Sequence, residues 1–292
     1  MTDEPGHLYV VSTPIGNLDD ITPRAVATLS SVSLILAEDT RHSRRLLDRY
    51  AIRAPLASYH EHNEARSAPR LVERLLAGES MALISDAGTP LLSDPGERLV
   101  NAAIAAGVRV VPIPGPSALL AALVASGMAA ERFTFYGFLP RKGRDRTDLL
   151  HEIARLPHTA VLYEAPGRLA STLAALVEQG AGDRSVAVAR ELTKQFEEIR
   201  RGTVAELARY YQDSPPRGEV VIVLAGGVVA PAAVDADAMR SRASELLAAG
   251  KSARDVARAL VEEHGVARND AYRLAQEAEP ATFAHESGQR SR

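Results

Sequence analysis

The sequence predicts an α/β protein with a parallel-sheet N-terminal domain, a mixed-sheet second domain and a small helical appendage at the C-terminal end. In the first half, short apolar runs bounded by Gly and Pro alternate with helical stretches, the pattern of parallel strands covered on both faces. At Phe133–Phe138 (FTFYGF) the style changes to an aromatic-containing strand of mixed-sheet type. Beyond a Val/Ala/Pro-rich stretch, three short helical segments joined by Gly-containing turns close the chain.

The central stretch is Met81–Pro116. Met81–Ser85 reads as a buried strand, followed by the loop Asp86-Ala87-Gly88-Thr89-Pro90. A helix is expected from about Pro95 to Ala106, with Asp94 as N-cap and Pro95 at its first position. Val108–Ile113 is the next strand, ending in Pro114-Gly115-Pro116. Ligands of open α/β sheets sit outside the carboxyl ends of the strands, so the acid and the Gly-Pro loop mark a ligand site.

Upstream, Leu8–Ser12 is a strand running into Thr13-Pro14-Ile15-Gly16-Asn17, then come a helix from Pro23 to Leu29 and a strand Ser33–Ala37. Only Gly16 stands where a dinucleotide fingerprint would need three glycines, and no P-loop pattern occurs, which argues against a Rossmann or P-loop nucleotide site. Glu38, Asp39 and Arg41 follow the strand and precede a helix His42–Tyr50; Asp39 either caps that helix or faces the ligand crevice. In an extended Tyr59–Glu64 segment, His60 and His62 would point to one side as a metal pair, yet no third ligand accompanies them. No metal is expected. A helix covers Arg66–Leu76.

After a helix Ser117–Ser126, the domain change is expected at 118–130, giving domains 1–120 and 121–228. The basic segment Leu139–Arg146 reads as a solvated turn or a phosphate-contacting arm. A helix Thr147–Arg155, a strand Thr159–Tyr163, a helix ending at Gln179 and a strand Ser185–Ala189 lead to Arg190-Glu191-Leu192-Thr193-Lys194. That cluster is either functional or an Arg190–Glu191 ion pair. A helix Val204–Tyr211 and a buried strand within 218–226 complete the second domain. Gly227–Asp237 reads as a linker, helices follow over Ala238–Ala249, Ser252–His264 and Asn269–Ala278 as an appendage at 238–278, and 279–292 reads as a disordered tail.

Composition bounds the function. The 292 residues carry a formal net charge of -3, so no global basic field advertises nucleic acid. Lysine occurs only at 142, 194 and 251, so arginine dominates; its planar fork suits phosphate, although a compositional bias of the genome gives the same excess. The absence of cysteine excludes disulfides, thiol nucleophiles and Cys-ligated zinc. No segment approaches the roughly 20 apolar residues that span a bilayer, and no signal peptide is visible, so cytoplasmic residence is expected without membrane association.

The motifs STPIGNLDDITPRA, LAEDTR, YHEHNE, SDAGTPLLSDPG, PIPGPSA, FYGFLPRKG, YEAPGR, ARELTKQFEE and GEVVIVLAG occur in this order. Their sequence resembles the bacterial ribosomal small subunit methyltransferase I family, of the tetrapyrrole-methylase-like class, over roughly residues 7–226. The helical tail is similar to that family's helix-turn-helix unit. The resemblance implies a two-domain tetrapyrrole-methylase-like fold, a homodimer, and 2′-O-methylation of a cytidine in the decoding region of 16S rRNA in the small ribosomal subunit, using S-adenosylmethionine.

Carried over by motif, the cofactor would touch Pro14 and Ile15, then Asp86, Gly88 and Thr89, then Ser117 and Ala118. Tyr163, Glu164, Gly218 and Glu219 would close the site from the second domain. Asp39, His60, Glu191 and Lys194 are the catalytic candidates by strand-end position, with Lys194 serving neutral as a base or charged as an anion contact. RNA phosphates would meet Arg41, Arg141, Lys142, Arg144 and Arg146, and in the tail Lys251, Arg254, Arg258, Arg268 and Arg273. Two other readings share parts of this pattern: a methyltransferase acting on a tetrapyrrole-like small molecule, and a non-catalytic RNA-binding protein with a vestigial cleft.

Overall fold

Side chains of an extended strand alternate between two faces, so apolar runs such as LILA and MALI must be covered on both. The computed structural model, which describes residues 4–227, 236–264, 266 and 268–278, shows how this is done. Strands β1 (His7–Val11), β2 (Leu34–Ala37), β3 (Leu56–Ser58), β4 (Met81–Ile84) and β5 (Arg109–Ile113) form a parallel sheet in the order β3-β2-β4-β1-β5. On one face Ile35, Ala37, Ala82 and Ile84 pack against Ala25 and Leu29 of α1 (Pro23–Ser31) and Leu46 and Leu47 of α2 (Thr40–Arg49). On the other, Leu34, Leu36, Met81 and Leu83 meet α3 (Glu61–Leu76) and α4 (Glu97–Ala105) through Leu71, Leu75, Leu99 and Ala103. Each fully buried Leu or Ile in these layers contributes about 1.5–3 kcal/mol.

The next helix, α5 (Ala118–Ser126), leaves the first sheet and packs on the second. That sheet comprises β6 (Phe133–Phe138), β7 (Thr159–Glu164), β8 (Ser185–Arg190), β9 (Glu198–Thr203) and β10 (Val220–Leu224) in the order β6-β7-β10-β8-β9. It is mixed: β6 and β7 run parallel, and the other pairs are antiparallel. Ala160, Leu162, Val186, Val188 and Ile222 point to the helices α6 (Arg144–Arg155), α7 (Leu169–Leu176) and α8 (Val204–Asp213). Val161, Ala187, Ala189, Val221 and Val223 face α5, and Ile15 from the first sheet's leading loop joins that cluster.

Residues 1–227, with both sheets, form one compact unit and 228–292 another. In the second unit, α9 (Ala236–Ala248), α10 (Ala253–His264) and α11 (Arg268–Glu277) share a small core of Met239, Leu246, Val256, Leu260, Val266 and Leu274. The linker expected at Gly227–Asp237 and the tail 279–292 lie largely or wholly outside the described residues. Among the described residues no helix is long and apolar enough to cross a membrane.

Several local expectations are corrected. Strands β3 and β9 carry no apolar run and were not expected; both lie at sheet edges, where polar sequence is tolerated. In β9, Glu198 faces Arg190 across the ladder and pairs with it at 2.7 Å, so the ion pair considered between Arg190 and Glu191 forms elsewhere. Helix α3 starts at Glu61, so His60 and His62 do not share an extended segment; the His60 amide donates to Asn63 Oδ1 at 3.0 Å. Among the described residues no third metal-type ligand joins them. Helix α4 starts after Gly96, whose φ of +134° is open to glycine, and Asp94 is therefore not its cap. Arg144 and Arg146 lie in the first turn of α6 rather than in a loop.

Candidate active site

The loops at the carboxyl ends of the first sheet are tied to one another by hydrogen bonds far apart in sequence. Thr13 and Gly88 exchange backbone hydrogen bonds of 2.8 and 3.0 Å, joining the loop after β1 to the loop after β4. Ser12 Oγ and Thr89 Oγ1 lie 3.1 Å apart, and Thr89 Oγ1 donates to Pro116 O at 3.2 Å, which adds the loop after β5. From the second sheet, the loop after β8 closes on the first: Thr193 Oγ1 accepts the Asn17 amide at 3.0 Å. The approach leaves no room for a side chain at Gly16, where an ideal Cβ would lie 2.5 Å from Lys194 Cγ.

Leu91, Ser93, Glu191 and Thr193, four of the five described non-glycine residues with positive φ, sit in two of these loops. Such conformations persist where surrounding contacts over-determine them, and they cluster at ligand sites.

Between the loops lies a cavity of about 410 Å³, within the range of small-molecule sites. Nine of the residues expected to hold a cofactor line it: Ile15, Asp86, Gly88, Thr89, Ala118, Tyr163, Glu164, Gly218 and Glu219. Pro14 lines a neighbouring cavity instead, and Ser117 is the N-cap residue of α5. Glu164 is only 2% exposed and its carboxylate accepts from Thr172 Oγ1 at 2.5 Å and pairs with Arg168 at 3.2 Å. Its offering to the cavity is therefore main chain.

Other lining residues were not expected at the cofactor, Phe138 and Asp94 among them. Phe138, with its ring 5.5 Å from that of Tyr163, extends an aromatic wall. Asp94, expected as a helix cap, lines the cavity; burial, reinforced by the charge on Glu38, pushes its carboxyl up to about 6. Burial likewise raises Glu38, with Asp86 adding to the rise and His60 opposing it. The cavity is thus backed by a carboxyl cluster with an affinity for protons or cations.

A second cavity, of about 300 Å³, shares Ile15, Asp86, Ala87 and Glu219 with the first. Of the four catalytic candidates, Lys194 alone lines either of these two cavities, and it is this one. Its ammonium contacts Glu191 Oε1 at 2.9 Å and Glu219 Oε2 at 3.2 Å. Burial pulls the Lys194 pKa down, but hydrogen bonds and charge from the two carboxylates outweigh it, so the pKa is raised and the group is cationic. The Lys194 hydrogen bond holds Glu191 below the usual carboxylate range. Asp39 caps α2 by accepting the Arg41 amide at 2.8 Å, and Arg41 lowers its pKa; its own amide donates to Asp86 Oδ1 at 3.0 Å. His60 Nδ1 is buried without a hydrogen-bond partner, and His60 belongs to neither lining.

Of the phosphate candidates, Arg141, Lys142 and Arg144 are exposed, and Arg41 is exposed beside Asp39. Arg146 is turned inward, donating to Thr172 Oγ1 at 2.8 Å and Pro140 O at 3.2 Å, which corrects its reading as a free arm. In the appendage Lys251, Arg254, Arg258 and Arg273 are exposed, the last two paired with Asp255 and Asp270; the Arg268 side chain lies outside the described residues.

Comparison with known proteins gives a consistent result. Residues 7–208 match the model of the tetrapyrrole (corrin/porphyrin) methylases. A protein of Mesorhizobium japonicum named ribosomal RNA small subunit methyltransferase I is 53% identical over 231 residues, 79% of this chain and 77% of that protein. One of the same name from Synechocystis is 46% identical over 275 residues, covering 94% of this chain and 99% of that protein. Among solved structures, uroporphyrin-III C-methyltransferase from Thermus thermophilus, complexed with S-adenosyl homocysteine, superimposes with a TM-score of 0.54 at 21% identity, over 75% of this chain and 97% of that one.

Proposed function

The chain belongs to the tetrapyrrole methylase family and, within it, to the ribosomal RNA small subunit methyltransferase I group, and from that premise we propose that it methylates small-subunit rRNA with S-adenosylmethionine. The acceptor we propose is the 2′-hydroxyl of a cytidine in the decoding region. The observation that carries the reading is convergence: nine residues from loops of both sheets, expected at a cofactor, line one cavity.

The lining suits this group. Gly88 and Gly218, at φ of +80° and +84°, leave bare backbone, and Ile15, Ala118, Phe138 and Tyr163 supply apolar and aromatic surface. Asp86 and Asp94 supply negative charge for a sulfonium and an ammonium. When bound, S-adenosylmethionine supplies an electrophilic methyl on a cationic sulfur.

The residues then have to align the hydroxyl oxygen with that methyl and receive the proton released as the O–C bond forms and the S–C bond breaks. Alignment supplies up to about 7–11 kcal/mol in the best cases. In this reading Asp86 and Glu219, the two carboxylates lining both cavities, are the candidates to receive the proton, and cationic Lys194 stabilises negative charge developing on the oxygen. Asp39, Glu191 and His60 act in this reading by positioning Asp86, Lys194 and Asn63.

We further assign cofactor binding to the junction of domains 1–120 and 121–228, and RNA phosphate contact to Arg41, Arg141, Lys142, Arg144 and the appendage 238–278. A homodimer working in the cytoplasm completes the proposal. The test is methyl transfer from labelled S-adenosylmethionine to small ribosomal subunits, naked 16S rRNA and tetrapyrroles in parallel. Label on a 2′-O-methylcytidine of the rRNA supports the reading; label on a tetrapyrrole alone, or cofactor that does not bind, overturns it.

A further inference from the structure

Helix α2 carries a buried hydroxyl with nothing to bond. Ser43 is 3% exposed, and its Oγ has no hydrogen-bond partner although it borders the second cavity. A serine inside a helix ordinarily gives its hydroxyl to the carbonyl one turn back. Here that carbonyl, Asp39 O, accepts the Ser43 amide at 3.0 Å, and the hydroxyl makes no hydrogen bond to it or to any other described group. An unpaired buried hydroxyl is unfavourable, and a ligand that bonds it removes the penalty.

The rest of the lining indicates the kind of ligand. Arg45 reaches the same cavity and is exposed, and among the described residues it forms no ion pair with a side chain of the protein; Lys194 adds a second cation and His42 a ring nitrogen pair. Lys194 is already paired with Glu191 and Glu219, and Asp86 also lines the cavity, so Arg45 is the lining cation left to meet an anionic group. The volume of about 300 Å³ lies at the low end of ligand sites and matches one nucleotide unstacked from its strand. The shared wall of Ile15, Asp86, Ala87 and Glu219 brings such a nucleotide beside the cofactor cavity.

We propose that the second cavity receives the target ribonucleotide of the RNA, with Ser43 Oγ hydrogen-bonding its base or ribose and Arg45 its phosphate. This rests on the methyltransferase reading above and adds the acceptor subsite to it.

The experiment uses the full chain, small ribosomal subunits lacking the modification, and the variants Ser43→Ala and Arg45→Gln. Ser43→Ala is expected to melt at or above the parent protein, to bind S-adenosylhomocysteine with unchanged affinity in calorimetry, and to lose about three- to tenfold in kcat/KM for the subunit. Arg45→Gln is expected to raise KM and flatten its salt dependence by about one unit of slope. Ser43→Ala with parental kcat/KM, with a lowered melting temperature, or with weakened S-adenosylhomocysteine binding overturns the subsite alone. A parent protein that binds S-adenosylhomocysteine but transfers no methyl to the subunit overturns the function and the subsite together.

Discussion

Gly218→Ala is the substitution whose outcome the geometry specifies most closely. Gly218 lines the cavity proposed for the cofactor at φ +84°, and a side chain there adds about 1–2 kcal/mol of backbone strain. An ideal Cβ would stand 2.0 Å from Glu191 Oε1 and 2.3 Å from its Cδ, inside any non-bonded distance. The Glu191 carboxylate therefore has to leave, and it surrenders the Lys194 ammonium at 2.9 Å and the Glu219 amide at 3.1 Å. Those two bonds, discounted for partial exposure, contribute about 2–3 kcal/mol, for a total near 3–5 kcal/mol. The melting temperature should fall by roughly 6–10 °C, and S-adenosylhomocysteine affinity at least tenfold, since 1.4 kcal/mol already suffices. Gly127→Ala is the control: its φ is +81° and nothing lies within 4 Å of an added Cβ, so only the strain applies. Thermal melts of the two variants side by side, with calorimetry of S-adenosylhomocysteine, decide the matter. If Gly218→Ala melts within about 2 °C of Gly127→Ala and binds like the parent, the reasoning fails.

Asp94, raised to about 6 by burial, binds its proton more tightly folded than unfolded, so it destabilises the protein above that pH and the penalty is relieved as pH falls through 6 toward the unfolded value of about 3.8. Asp94→Asn should therefore melt above the parent at about pH 8, with the gap shrinking as pH falls through 6 and closing near pH 4; a gap independent of pH would refute burial as the cause. Deleting residues 236–292 should weaken binding to the small subunit and flatten the slope of its salt dependence by about 0.7–0.9 for each phosphate that the appendage neutralises; an unchanged slope in filter binding would make the appendage purely structural.

What the sequence discloses depends on whether the information is local. The apolar runs LILA, MALI and VVIVL identify central strands because burial on both faces leaves no polar positions. The edge strands LAS and EIRRGT carry no such signature, since their pairing is set by neighbours and one side meets solvent. At Asp94 two local signals competed: an acid before Pro95 imitates a cap, but the positive φ open to Gly96 moves the helix start and frees the carboxyl for the cavity. At Arg146, exposure was inferred from charge density, whereas Thr172 and Pro140 offered buried acceptors that only the fold brings near. The cofactor candidates were named from ordered motifs; that loops from both sheets bring nine of them to one cavity rests on contacts such as Asn17 with Thr193, which no local pattern encodes.

The place of β10 in the second sheet bears on how the chain is made. It is the third strand of five but the last in sequence, inserted between β7 and β8. Until Val220–Leu224 leaves the ribosome, β6–β7 and β8–β9 are separate ribbons, each with an apolar edge that other chains can pair with. The inserted segment, VVIVL, is itself uncharged and β-prone, and the neighbouring Arg217 and Glu219 act as its gatekeepers. Gly218–Val221 are also walls of the main cavity, so the pocket is absent from every nascent chain and arises with the last stitch of the sheet. A bound small molecule therefore selects only fully threaded copies and holds them threaded by mass action. A chain terminated ahead of Val220 loses its ligand site and its sheet in the same step.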